Sequence, residues 1–134
     1  MNRKTARENA FLLLFEREIK TDETAEEIFL KATAERELEV DDYVKTVFFG
    51  CNENAAIISE TVSKCLVGWK PERISFVSRA IINLAVFEMM FISDIPPRVS
   101  LNEAVELSKK YDEDKAYSFV NGVLNRALVE LSLK

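Results

Sequence analysis

Histidine is absent from this 134-residue sequence. Its absence removes imidazole acid–base chemistry, Ser-His-Asp triads and the common histidine-containing zinc sets. Cysteine occurs only at positions 51 and 65. Cys51 and Cys65 fall on the apolar face of one expected helix. At about 1.5 Å of rise per residue they stand roughly 21 Å apart, so they cannot pair with each other and read as buried small hydrophobes. Glycine and proline number three each, while hydrophobic residues make up 48% of the chain. Such sparse punctuation points to long helices rather than many short strands. No apolar run approaches the ~18–20 residues of a membrane-spanning helix, and no signal peptide is visible. A P-loop, dinucleotide-binding glycines and metal-ligand spacing are also missing. These absences describe a single soluble cytoplasmic domain over 1–134 with no cofactor, no metal and no catalytic set.

What is present is charge, unevenly spread. The formal net charge is −5, but residues 22–42 hold nine acids and two bases, a local −7 that leaves +2 for the rest. That acidic run reads as a solvated helix face. At the other extreme Arg3, Lys4 and Arg7 precede any acid and adjoin the chain's amino terminus. A basic end on an acidic protein can hold phosphate weakly, with strong salt dependence.

Thr5-Ala6-Arg7-Glu8 matches a capping box, so a first helix is expected from about Ala6. Ala6, Ala10, Leu13 and Leu14 form its core stripe. Phe11 and Phe15 lie on a neighbouring line above Lys4 and Arg7. Either the helix is deeply buried, or these rings extend a basic–aromatic ridge that meets a base or a partner protein. A second, acidic helix is expected over 24–37, with Ile28, Phe29 and Ala32 inward. Asp41 or Asp42 caps a third, in which helical spacing persists from Val44 to Leu66 without a visible break. Gly68 and Pro71 end it and open a fourth, about Glu72 to Ser93, apolar on most sides. Glu88 lies within that apolar stripe. A carboxylate there needs a hydrogen-bonding partner, either a helix N-terminus or an arginine.

The sharpest punctuation lies between Asp94 and Leu128. Pro96 and Pro97 stop the fourth helix. Ser100-Leu101-Asn102-Glu103 matches a second capping box, predicting a helix from about Leu101 to Tyr111. Asp112 or Asp114 then caps a last helix with an apolar stripe through Phe119, Val120, Val123, Leu124, Ala127, Leu128 and Leu131. Gly122 falls on its opposite face, beside Ser118 and Asn125. Glycine inside a helix costs roughly 1 kcal/mol relative to alanine. Asn121-Gly122 is therefore either a turn or, since the stripe continues in register, a point of close approach by another backbone or a partner.

These stretches also carry a resemblance. LNEAVELSKKY followed by FVNGVL, preceded by DIPPRV and RAIINLAVFE, together with the opening TARENAFLLLFE, resembles the NusB family of bacterial transcription antitermination factors over nearly the whole chain. The resemblance implies an all-α fold of six to seven helices in two small bundles joined along long helices, here about 1–68 and 69–134. It implies a non-enzymatic factor that binds boxA-type single-stranded RNA together with the small-subunit ribosomal protein NusE. Within an RNA polymerase antitermination complex, such a factor supports read-through on ribosomal-RNA operons. A monomer or weak homodimer without membrane association fits this role. Arg3, Lys4, Arg7, Phe119 and Asn121 match the family's RNA-binding positions. Phe11, Phe15, Asp114, Lys115, Ser118 and Gly122 match partner-binding positions.

The chain departs from familiar members at three of its positions. Phe15 stands where a tyrosine is frequent, Lys115 where an acid can occur, and Asn83 where the fourth helix can carry arginine. Two alternatives fit the same residues. One is a helical protein–protein adaptor that binds no RNA, favoured by the acidic balance. The other is a stand-alone relative of the NusB-like domain fused to ribosomal-RNA cytosine methyltransferases.

Overall fold

Asn2 caps the first helix, its side chain accepting from the Thr5 N–H at 2.8 Å. Helix α1 therefore spans Arg3–Ile19, starting earlier than the Thr5 capping box predicts. Thr24 and Glu27 form the reciprocal capping box that opens α2, Ala25–Ala34. Asp41 caps α3, Asp42–Glu53, as the sequence predicts. The computed structural model describes residues 1–133, and these contain seven α-helices, one 3₁₀ turn at Pro71–Arg73 and no strand. The remaining helices are α4, Ala55–Lys64; α5, Phe76–Phe91; α6, Pro97–Tyr111; and α7, Ala116–Glu130.

The long third helix expected from the Val44–Leu66 stripe is two helices. Asn54 leaves helical geometry at φ −109°, ψ 22°, and its side-chain amide donates to the Gly50 carbonyl at 2.8 Å. The side chain thus adds a second donor to a carbonyl that already accepts from the Asn54 N–H, while the apolar positions resume in α4. Cys51 and Cys65 consequently sit on α3 and just past α4; both are buried and free. Pro71 opens the 3₁₀ turn rather than the fourth long helix, and Ser75 caps α5.

Helix α5 is central. It packs against α1, α3, α4, α6 and α7, which explains why it is apolar nearly all round. A connected core joins Ala6, Phe11 and Leu13 of α1, Val44 and Phe48 of α3, Ile81 and Leu84 of α5, and Val123 and Leu124 of α7. At one point the packing requires glycine. A Cβ on Gly50 would stand 2.4 Å from Cζ of Phe87, so α3 meets the Phe87 ring where no side chain fits.

Two start signals prove to serve other purposes. Helix α6 begins at Pro97, a favoured first-turn position, and Ser100 lies inside it. Neither Asp112 nor Asp114 caps α7. Lys115 precedes that helix in a left-handed conformation, φ 72°, with no side-chain cap.

Candidate nucleic-acid interface

Glu88 is fully buried and receives a set of donors from three other helices. Arg7 Nε donates at 2.8 Å and Ser100 Oγ at 2.6 Å, and the Tyr43 hydroxyl donates as well. Arg7 also reaches Glu103 at 3.3 Å. This meets the sequence requirement that Glu88 have a partner, but the partner is an arginine assigned to the RNA surface. Arg7 is only 4% exposed. Its guanidinium lies among α1, α3, α5 and α6, committed to Glu88 and Glu103. Burial works against the Arg7 charge, yet the hydrogen bond and charge of Glu88 hold its pKa above the ordinary value, helped by Tyr43 and Glu103. Burial, reinforced by Glu88, pushes the Tyr43 phenol well above its usual range.

Phe11 is also internal, at 1% exposure, with its ring against Tyr111 at 4.9 Å. The deeply buried reading of α1 therefore holds for Phe11, and it cannot meet a partner directly. Phe15 is half-buried and lines an apolar surface groove with Leu12, Ile19 and Leu38.

Arg3 and Lys4 remain exposed. The Arg3 guanidinium lies 4.3 Å from the centre of the Tyr43 ring, and Lys4 is 4.0 Å from Glu103. Both therefore sit over the buried ion cluster that holds Arg7.

The remaining candidates collect at the other end of α6. Asp114, Lys115, Ser118, Phe119 and Gly122 line one groove of about 540 Å³. Asn121 is exposed on the same helix, its carbonyl accepting from Asn125. Among the described residues no backbone crowds Gly122; the nearest atom to a Cβ there is Arg126 Nη1 at 3.8 Å. Asp112 anchors the groove floor by accepting from Ser75 and Ser78, tying the start of α5 to the end of α6. Along α6, Glu103 and Asp112 are nine residues apart, roughly 14 Å of helix, so the basic end and the groove are separate features.

Three groove residues escape the sequence reading. Trp69 stacks at a tilt on Phe119, with ring centres 4.8 Å apart, and Arg73 and Arg126 flank the pair. The signal was a lone tryptophan in a polar turn between Gly68 and Lys70. An aromatic there has no apolar stripe to join.

These features define an all-helical binding module whose ionisable cluster is structural and whose open surface is a basic end plus an aromatic groove. The sequence profile of the NusB family matches residues 4–128. The chain is 42% identical to the transcription antitermination protein NusB of Clostridium botulinum over 131 residues, covering 96% of this chain and 98% of that protein. It is 40% identical to the protein of the same name from Bacillus velezensis, with 98% of each covered. NusB of T. maritima superposes with a TM-score of 0.83 at 31% identity, over 99% of both chains. A crystal structure of antitermination factors NusB and NusE in complex with double-stranded RNA matches with a TM-score of 0.81 at 30% identity, over 93% of this chain and 94% of that one. The chain belongs to the NusB family, whose members are transcription antitermination factors and not enzymes.

Proposed function

We propose that this chain is a transcription antitermination factor that binds boxA-type single-stranded RNA together with the ribosomal protein NusE, and so supports read-through on ribosomal-RNA operons. The likeness to the NusB–NusE–RNA assembly across nearly the whole chain carries this reading. No helix among the described residues is long and apolar enough to cross a membrane, which accords with work beside RNA polymerase in the cytoplasm.

Arg3 and Lys4 supply phosphate contacts at the amino end. Phe119 and Asn121 meet the RNA along α7. Phe15, Asp114, Lys115, Ser118 and Gly122 belong to the partner surface. Arg7 supports the RNA end indirectly, by holding α1 against α3, α5 and α6. With Arg7 withdrawn, the exposed basic patch is thin, and tight RNA binding depends on the ribosomal partner.

A salt titration of boxA binding, with the ribosomal partner present, tests this. Each lost phosphate contact lowers the slope of log K against log salt by about 0.7 for a single strand. The double variant Arg3→Ala/Lys4→Ala is expected to bind more weakly, with a slope flatter by about 1.4. Discrimination against a scrambled RNA is expected to survive, because phosphate contacts position and base contacts specify. Equal affinity and slope for variant and wild type would remove both residues from the RNA surface.

A further inference from the structure

Trp69 and Phe119 form an aromatic pair in the lining of the groove. Trp69 is 52% exposed although it is the largest side chain present and the only tryptophan. Its position is fixed on both sides. Gly68 precedes it at φ +76°, a left-handed conformation suited to glycine, and the 3₁₀ turn follows at Pro71. One face leans on Phe119; the remainder is open to the groove.

The rim carries four cations and three acids. Lys70, Arg73, Lys115 and Arg126 surround the ring pair, and none enters an ion pair among the described residues. Arg126 is held in place by donating to the Cys65 carbonyl at 3.3 Å. The acids of the groove are Asp112, Glu113 and Asp114, of which Asp112 is engaged by the two serine hydroxyls. An exposed flat ring ringed by uncommitted cations is the arrangement that takes an unpaired base on the ring and its phosphates on the rim.

We propose that Trp69 is a base-stacking residue: one unpaired nucleobase of the bound RNA lies on its open face, braced by Phe119, with adjacent phosphates at Arg73 and Arg126. This rests on the RNA-binding reading above and adds a residue and a contact type to it. Stacking on an aromatic ring tolerates any base, so Trp69 contributes affinity more than sequence choice.

Because Trp69 is the only tryptophan, its emission reports on this site directly. The experiment titrates a boxA-type single-stranded oligoribonucleotide into the protein with its ribosomal partner. It follows tryptophan emission, with the Trp69→Phe complex as blank, and in parallel the anisotropy of end-labelled RNA. RNA binding is expected to quench the emission. Trp69→Ala is expected to lose about 5- to 150-fold in affinity, the range of one aromatic–base stack, while Trp69→Phe retains most of it. Thermal melts of both variants are expected near wild type, since the ring is half exposed. RNA binding with unchanged emission and full affinity in Trp69→Ala overturns the stacking role and leaves the RNA reading standing. Emission that responds to the ribosomal protein alone and not to RNA reassigns the groove to protein docking and overturns the proposal. No RNA binding by anisotropy, with wild-type protein and partner, overturns the RNA reading itself.

Discussion

Replacing Arg7 by methionine keeps much of the side-chain volume and removes the charge. In the structure Glu88 then loses its Nε donor at 2.8 Å and its only arginine, in a site with no solvent exposure. Breaking a buried ion pair by removing one partner typically costs ~3–5 kcal/mol, because the other charge stays behind uncompensated. Ser100 and Tyr43 still donate to Glu88, which places the expected loss toward the lower end, about 3 kcal/mol. For a domain of this size that corresponds to a melting temperature lower by roughly 10 °C. The double variant Arg7→Met/Glu88→Leu removes both charges and is expected to recover much of the loss, since replacing a buried pair with apolar residues is often neutral. Urea denaturation of wild type and both variants reads this directly. Arg7→Met with wild-type stability and sharply weaker RNA binding would show Arg7 acting at the RNA rather than inside the fold.

Gly50→Ala gains helix propensity of roughly 1 kcal/mol, but its Cβ collides with Phe87. Overpacking of that kind costs ~1–3 kcal/mol, so a net loss of stability is expected, relieved in Gly50→Ala/Phe87→Leu and checked by thermal melts. Gly122→Ala meets only ordinary contact with Arg126 and is expected to stabilise α7 by about 0.5–1 kcal/mol in the same assay. Tyr43 holds its proton more tightly folded than unfolded. Its contribution is therefore complete below the ordinary phenol pKa of about 10 and is lost as pH rises beyond it. The stability gap between wild type and Tyr43→Phe is expected to narrow above about pH 10, measured by denaturant midpoints from neutral to alkaline pH.

The helical class and the burial of Glu88 were legible because both rest on spacing along one element. Helical periodicity survives any tertiary arrangement, and a carboxylate in an apolar stripe must find a partner. Which partner was not legible, because Arg7 lies 81 residues away and looked like part of an exposed basic end. The cluster of Arg3, Lys4 and Arg7 was divided by one turn of helix. Arg3 shares Arg7's face of α1, over the same Tyr43 ring, but stands one turn earlier at the exposed helix end, while Arg7 lies in the packed turn against Glu88. The break at Asn54 was hidden for the opposite reason. Its backbone leaves helical geometry with a side-chain bond back to Gly50, while the apolar pattern runs on into α4. Ser100 and Asp112 matched capping signals but make tertiary bonds instead, to Glu88 and from Ser75. A capping motif reports which side chains can bond locally; the fold decided that these bond at a distance. The groove was half legible. Phe119 and Lys115 came with the family motif, whereas Trp69, Arg73 and Arg126 converge on them only once α4, the 3₁₀ turn and α7 are folded together.

As proposed above, the chain binds boxA-type RNA jointly with the ribosomal protein. The most direct measurement is the anisotropy of labelled boxA-type RNA, titrated with this chain alone, the ribosomal protein alone, and an equimolar mixture, each against a scrambled RNA at fixed salt. Weak, poorly selective binding by either protein alone and tight, boxA-selective binding by the mixture are expected. A mixture that binds no better than the separate proteins, or that fails to distinguish boxA from the scrambled sequence, would contradict joint binding.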